Sequence, residues 1–380
     1  MGELTVRICE DFEPVRASWL ALELHAIGSV YQRFAWVSSW AKHAAKPARM
    51  IPRIVLISHG DEPVAVLPLA IRQRGPFKMA TWLADSHSNF HMGLYSSQFL
   101  QNIKPDDVRE LLPFILKQFG KLDVLELCCQ PVMWQGHTNP FTFLKWQESH
   151  NHAFALNLLP DFNSALDRKN GARKRKKFRW QNNKLKEHDG PHLRVAETPD
   201  DVRRMLSAAT EQLKHRFDRA GIWNRFYDEG VMPFFEALAI EELGKAEPAL
   251  KLFALEIDGE IQATFAGGIN SRQFSGCFIS VADGEFSRLS PGELMIYLVI
   301  KDCVDAGLEV FDLGRGEERY KTSWCDTTMP MFETTIALSK RAAGFAAYER
   351  GKTATKRFVR NNERLWGLAK KVRSRLYGRV

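Results

Sequence analysis

"KLFALEIDGEIQATFAGGI", residues 251–269, decides the fold. KLFALEI and IQATFAGGI are strand-like apolar runs. Asp258-Gly259 between them is the dipeptide of a tight hairpin turn, where glycine supplies the positive φ. QFSGCFISV (273–281) reads as a third strand. A loop follows, then a helix from Pro291 to about Ala306, the strand LEVFDL (308–313) and, after a second loop, MFETTIALS (331–339). The first half runs through the same order. RIVLIS (53–58), a turn at Gly60-Asp61, EPVAVLPLAI (62–71) and KMATWLA (78–84) lead through a loop to a helix from Pro105 to Phe119 and the strand LDVLEL (122–127). Three antiparallel strands, a loop, a helix and a strand, twice over, predict an α/β (mixed α+β) fold of two related units. Helices at 199–219 and 228–243 open the second.

The 380 residues suffice for two domains, and 45% hydrophobic with 26% charged content is that of a soluble globular protein. No apolar run approaches the ~18 residues that span a bilayer. The start, MGELTVRICEDFEPVR, has early acids and no apolar core, so it does not read as a secretory signal, and it lacks the hydroxyl residue of a myristoylation site. Six cysteines show no disulfide or zinc spacing, which points to a reducing cytoplasm. The net charge of +8 hides two patches. Residues 168–186 hold ten Lys and Arg and no acid, and 341–380 hold twelve against Glu349 and Glu363. Each patch is therefore +10, and everything else sums to −12. Such patches suit phosphate-bearing partners or an anionic membrane surface, or are simply solvated helical faces.

The loop after the last repeat strand, DLGRGEERYKTSWC (312–325), sets Arg315 between two glycines and follows it with acids and Tyr-Lys. Connecting loops seldom need such backbone freedom and both signs of charge. It reads as a catalytic rim or, alternatively, as a structural ion-pair cluster. In RLSPGEL (288–294), Ser290 is expected at the N-cap, Pro291 at the first helical position and Glu293 at the third, a capping box. Gly292 leaves the backbone open, so the helix start suits an anion; a well-capped helix is the other reading. His87 and His91 are four apart, but DSHSNFHMG reads as a loop, where a polar role in an acceptor cleft outranks a metal site. Cys325 is expected to be a packing residue. Phe178, Trp180, Trp223 and Phe226 lie near basic residues and are expected to pack helices or stack on sugar rings.

SPG at 290–292, followed after a helix by FDLGRGEERYKTSW (311–324), resembles the FemABX-like branch of the GNAT acyltransferases, and within it the CelD-like acetyltransferases of cellulose and exopolysaccharide synthesis. GARKRKKFRWQNNKL (171–185), RFDRAGIW (216–223) and DGEIQATFAGG (258–268) match as well, so the resemblance spans about 155–335. It implies tandem GNAT-like domains: 1–150, a degenerate copy forming a wall of the acceptor cleft; 151–340, the catalytic copy; and 341–380, a basic amphipathic tail. IKPDD (103–107) lacks the Arg-x-Ser-Pro-Gly pattern, so the first copy is not expected to hold a donor.

The resemblance further implies acyl-coenzyme A as co-substrate and no permanent cofactor or metal. Lys321 would stabilise developing charge, Tyr320 would protonate the leaving thiolate, and Glu317 or Glu318 would take the acceptor's proton. Asp312 would orient Lys321 or Arg315, and Arg315 would reach a phosphate or carboxylate. Arg288, Ser290, Pro291, Gly292, Gly314 and Gly316 would hold the donor. Arg173, Arg175, Arg179, Arg216 and Trp223 would hold the acceptor, with Lys174 and Lys176 in the same basic cluster. Tyr-Lys stands where Fem ligases usually have Phe-Lys, and the preceding Gly-Arg-Gly-Glu is the CelD-like form, which favours coenzyme A over aminoacyl-tRNA.

The expected activity is transfer of an acetyl or other acyl group to an amine or hydroxyl of a cell-envelope or exopolysaccharide precursor. The acceptor would be small or lipid-linked, in the cytoplasm or at the inner membrane face beside polysaccharide synthesis machinery. Two alternatives stay open: a tRNA-dependent peptidyltransferase, and a silent module sensing a nucleotide such as a cyclic dinucleotide. In the tail, Phe358, Leu365, Ala369, Val372 and Leu376 recur at helical spacing, so docking on the protein itself comes before membrane contact.

Overall fold

The computed structural model describes residues 4–84, 87–220 and 223–362, together with 364, 365 and 367. The chain forms two compact units: Met1–His152 with Met329–Trp366, and a second built on Ala153–Thr328. The first runs β1 (Leu4–Cys9), α1 (Glu13–Glu23), β2 (Met50–His59), β3 (Glu62–Arg74), β4 (Phe77–Trp82), α2 (Pro105–Gln118), β5 (Val124–Pro131) and the short β6 (Gln147–Glu148). The second runs β7 (Ala153–Asn157), α3 (Phe162–Asp167), α4 (Gly171–Lys184), β8 (His192–Val195), α5 (Pro199–Ala220) and α6 (Val231–Glu241). It continues with β9 (Lys251–Ile257), β10 (Glu260–Asn270), β11 (Gln273–Val281), α7 (Pro291–Asp305), β12 (Val310–Arg315), α8 (Arg319–Trp324) and β13 (Thr327–Met329). The chain then returns to the first unit with β14 (Met331–Ala337) and α9 (Ala343–Asn361).

The two sheets share one plan. The first has the order β1-β2-β3-β4-β5-β14-β6 and the second β8-β9-β10-β11-β12-β7-β13. In each, the fourth and fifth strands are parallel, with Met79, Ala80 and Thr81 opposite Val124, Leu125 and Glu126, and Gln273, Phe274 and Ser275 opposite Val310, Phe311 and Asp312. The sixth strands align as well: Thr335 faces Glu126 as Ala155 faces Asp312. Glu126 and Asp312 therefore occupy equivalent places, each an acid at the last paired position of a short parallel ladder.

One expectation fails. MFETTIALS was expected to close the second unit, but β14 pairs with β5 and β6 of the first sheet, while β7 takes the matching place in the second. The repeats have exchanged their sixth strands, so the expected boundary at 340 moves back to 328. Alternating apolar residues specify how a strand is buried, not against which of two similar edges.

Part of the basic tail is docked. Ala342 and Ala346 are fully buried, and the Phe345 ring lies 4.8 Å from Phe77. Glu349 pairs with Arg74 at 2.9 Å, Thr353 donates to Glu333 at 2.9 Å, and Arg341 pairs with Asp123. The expected apolar stripe fits only in part. Phe358 is 67% exposed, and Ala369, Val372 and Leu376 lie outside the described residues. No helix among the described residues is long and apolar enough to cross a membrane.

In the second unit, α7 buries Leu294, Met295, Ile296, Val299, Ile300 and Cys303 in one core with strands β7 and β9–β12. Phe274 and Phe311 stack across the parallel pair at 5.4 Å and 5°. Such a ring pair contributes about 0.5–1.5 kcal/mol beyond its burial and ties β11 to β12 at their paired end. A polypeptide of residues 153–328 carries all seven strands of its sheet and is expected to melt cooperatively by circular dichroism. Residues 1–152, without β14, are not, until 329–362 are joined to them through a flexible linker. Equally sharp melts with and without that piece would refute the exchange.

Candidate functional site

The parallel ladder of the second sheet stops at Ser275–Asp312, although β11 runs on to Val281 and β12 to Arg315. Beyond it the strands part, leaving a wedge with Asp312 at its apex. A β-bulge opposite β7 begins there, and Gly314, at φ 71°, supplies the positive φ such a bulge needs. Asp312 is fully buried. One carboxylate oxygen accepts from the Gly314 N–H at 2.6 Å; the other, Oδ2, has no hydrogen-bond partner. Burial pushes its carboxyl up to about 7, against the opposing pull of the Gly314 N–H, Lys321, Ser275 and Gln273.

Helix α8 brings Lys321 to the same apex. Lys321 is only 6% exposed, and its Nζ donates to the Arg315 carbonyl at 2.6 Å and pairs with Glu318 Oε2 at 3.1 Å. Burial lowers the ammonium, while Glu318, Asp312 and Cys325 support it. The Glu318 carboxylate folds over Gly316, where a Cβ would stand 2.9 Å from Oε2, at φ 106°. Tyr320 is half-buried against the core, and burial holds its phenol above the usual range, with Arg216 acting the other way. Cys325 is buried with its thiol pushed up, the inert packing residue expected. Arg315 is half-buried, and Glu317 is exposed on the loop.

The expected capping box at α7 is absent. Ser290 adopts left-handed backbone (φ 56°, ψ 62°), and its hydroxyl caps nothing. Glu293, instead of folding back to the N-cap, pairs with Lys177 at 2.9 Å. The cause is close packing: a Cβ on Gly292 would stand 2.9 Å from Val281 Cγ2, so the first turn sits against the end of β11. Pro291 opens the helix as expected, and Arg288 is exposed in the preceding turn.

The basic cluster on α4 divides into two faces. Arg173, Lys176, Arg179 and Trp180 are exposed, whereas Lys174 and Gln181 are buried. Arg175 pairs with Asp167 at 2.7 Å. Phe178 stacks on Tyr297 at 4.1 Å, and Phe226 packs on Phe235 and Phe278. Arg216 donates to the Ile279 carbonyl of β11 at 3.5 Å. Trp223 is 71% exposed, its Nε1 donating to Asp228 at 2.9 Å. Residues 221 and 222 of the 216–223 stretch lie outside the described residues.

The first unit gives the contrast. Its equivalent acid, Glu126, is neutralised by Arg72 at 2.7 Å and Arg74 at 3.3 Å. Its wedge is filled by its own chain: the His91 N–H donates to the Cys129 carbonyl at 2.9 Å, beside β5, and Ser88, Phe90 and His91 are buried. His91 stacks on Trp82 and His87 accepts from Trp40 at 3.2 Å, so neither histidine lies in an open cleft. At α2 the Lys104 N–H donates to Asp107 Oδ2 at 2.7 Å, whereas Glu293, at the matching position of α7, is turned to Lys177. Among the described residues, no three His, Cys, Asp or Glu are grouped to hold a metal. Two hollows lie elsewhere: one of about 380 Å³ beside His59 and Lys104, and one of about 270 Å³ beside Glu242 and Leu252.

Residues 172–322 match the model of the acetyltransferase (GNAT) domain. Comparison with curated proteins finds no match. Among solved structures, FemX is similar at TM-score 0.61 and 11% identity, over 89% of this chain and 99% of that one. The C-terminal domain of a putative lysylphosphatidylglycerol synthetase from Agrobacterium fabrum gives 0.55 and 13%, over 90% and 96%. L-PGS from Bacillus licheniformis gives 0.51 and 12%, over 92% and 98%. At these identities the likeness is one of fold, and that fold is the expected mixed α/β tandem of GNAT-like units.

The buried acid has a measurable signature. A native carboxyl near 7, against about 3.9 in the unfolded chain, keeps a proton that the unfolded chain gives up. Its contribution to stability therefore falls as pH rises from about 4 through 7, by up to ~4 kcal/mol at about 1.4 per unit. Asp312→Asn is expected to gain resistance to urea at pH 8 and gain clearly less at pH 5. The same gain at both would mean that Asp312 titrates normally.

Proposed function

We propose that the second unit transfers an acyl group from acyl-coenzyme A to an amine or hydroxyl, with a cell-envelope or exopolysaccharide precursor as acceptor in line with the CelD-like motif. The supporting observation is the end of the β11–β12 ladder at a buried Asp312 with the buried Lys321 beside it. The residues around the wedge fit such a donor. The α7 start lacks a side-chain cap, and Arg288 stands exposed beside it. The first unit lacks each of these: its wedge is filled, its helix start meets a carboxylate and its acid is paired with two arginines.

Bound acyl-coenzyme A would supply an electrophilic thioester carbonyl and a thiol leaving group. Lys321 Nζ has three N–H groups, two committed to Arg315 and Glu318, so one serves negative charge that develops on a substrate oxygen. Asp312, with its carboxyl near 7 and Oδ2 unbonded, is the group suited to hold the acceptor's proton at neutral pH. This moves the base from Glu317 to Asp312. Tyr320 keeps its proton tightly and is a poor acid for a thiolate that leaves without help. Arg216, near Tyr320 and the end of β11, and the exposed Arg173 and Arg179 are the acceptor-side cations. Those exposed cations also suit a tRNA donor, the second reading.

Coenzyme A and acetyl-coenzyme A are expected to raise the melting temperature of the whole chain, and uncharged tRNA is not. Stabilisation by tRNA alone would reverse the choice of donor. With a known acceptor, Lys321→Ala and Asp312→Asn should each lower kcat on the order of 10²–10³-fold while keeping the coenzyme A-dependent shift. Glu317→Gln and Tyr320→Phe should each cost less than about tenfold. Full turnover by Lys321→Ala would refute the assignment.

A further inference from the structure

Helix α8, which carries Lys321, is six residues long. So short a helix does not hold itself, and the carbonyls of its last turn need partners from elsewhere. Cys325 N–H closes on the Lys321 carbonyl at 2.8 Å. The Ser323 carbonyl is taken by Lys174 Nζ at 3.0 Å, from α4. The same ammonium donates to the Lys169 carbonyl and lies 4.6 Å from the Trp324 ring centroid. A cation at a helix C-terminus is favourable for its charge as well as its hydrogen bond.

Seven residues further along α4, on the same face, Gln181 Nε2 donates to the Leu289 carbonyl at 2.6 Å and approaches that of Ser290 at 3.4 Å. Between the two, Lys177 holds Glu293 at 2.9 Å. A single helix thus grips both α8 and the turn that opens α7. Lysine is rarely buried. Here an apolar side chain would fill the volume beside Trp324 without desolvating a charge, but would leave two carbonyls unmet.

We infer that α4 is a brace across the site, in which Lys174 is a positioning residue for α8 and its Lys321, while Gln181 positions the Leu289–Ser290 turn at the α7 start. The use of these two halves as acyl-transfer and donor-binding elements rests on the function proposed above; the brace itself does not.

Hydrogen exchange of the full-length protein, followed by mass spectrometry, tests it. Lys174→Met is expected to speed exchange in 319–325 roughly tenfold and to leave 287–293 unchanged; Gln181→Leu should do the reverse. Lys174→Arg, which restores the charge and donors, should return 319–325 towards the wild-type rate. With coenzyme A as the probe, Gln181→Leu should weaken binding roughly tenfold and Lys174→Met should not. Faster exchange throughout the unit in both variants, or none at 319–325 in Lys174→Met, would overturn the brace. If Lys174→Met does not fold, Gln181→Leu decides alone: exchange raised beyond 287–293, or unchanged there, refutes it. Wild-type protein unmoved by coenzyme A would sink the donor reading while leaving the exchange pattern to decide the brace.

Discussion

The second unit depends on a parallel ladder that ends one residue before a bulge. Because pairing between β11 and β12 stops at Asp312, the acid is enclosed by strands on both sides yet receives hydrogen bonds on only one oxygen. Burying a carboxylate so incompletely satisfied is costly, and the usual outcome is a raised pKa. The neighbouring Lys321 moderates this without cancelling it, since its own ammonium is partly committed to Arg315 and Glu318. The result is a carboxyl pushed up to about 7, the condition under which a side chain can accept and return a proton at neutral pH.

The first unit shows what the same architecture does when that condition is removed. Thr81–Glu126 matches Ser275–Asp312 residue for residue. Arg72 and Arg74 convert Glu126 into one end of an ion-pair chain that continues through Arg74 to Glu349 on α9. The half-buried Arg74 thereby links α9 to the sheet. An acid at the ladder's end is therefore left without an arginine partner in one copy and used for attachment in the other, and the difference lies in two arginines on β3, reaching across β4.

Much of this was legible in the sequence. Hairpin turns, alternating strands and proline-started helices gave the element order in both halves, because those signals are local. LDVLEL and LEVFDL even align acid on acid, Glu126 on Asp312, a correspondence the strand patterns carry once they are laid side by side. The capping box was misread because the Ser-Pro-Gly-Glu pattern describes a free helix end, whereas packing of Gly292 on Val281 turned Ser290 left-handed. The run of cations on α4 concealed a division by face, and only the seven-residue spacing of Lys174 and Gln181 hinted at it. Glu317 looked like the stronger base because exposure and burial cannot be told apart in a stretch of consecutive charges.

The exchanged strands set an order of events during synthesis. β5 leaves the ribosome long before its partner β14, some 200 residues later, a delay of roughly 10–40 s at usual elongation rates. Over that interval β5 presents an open edge, and β7, which follows it closely in the chain and fills the matching slot of the other sheet, is the first strand able to occupy it. The second unit draws β7 away only once β12 exists to receive it. Completion of the first unit thus waits on the second, and the nascent chain must keep one of its sheets unfinished until nearly all of it has been made.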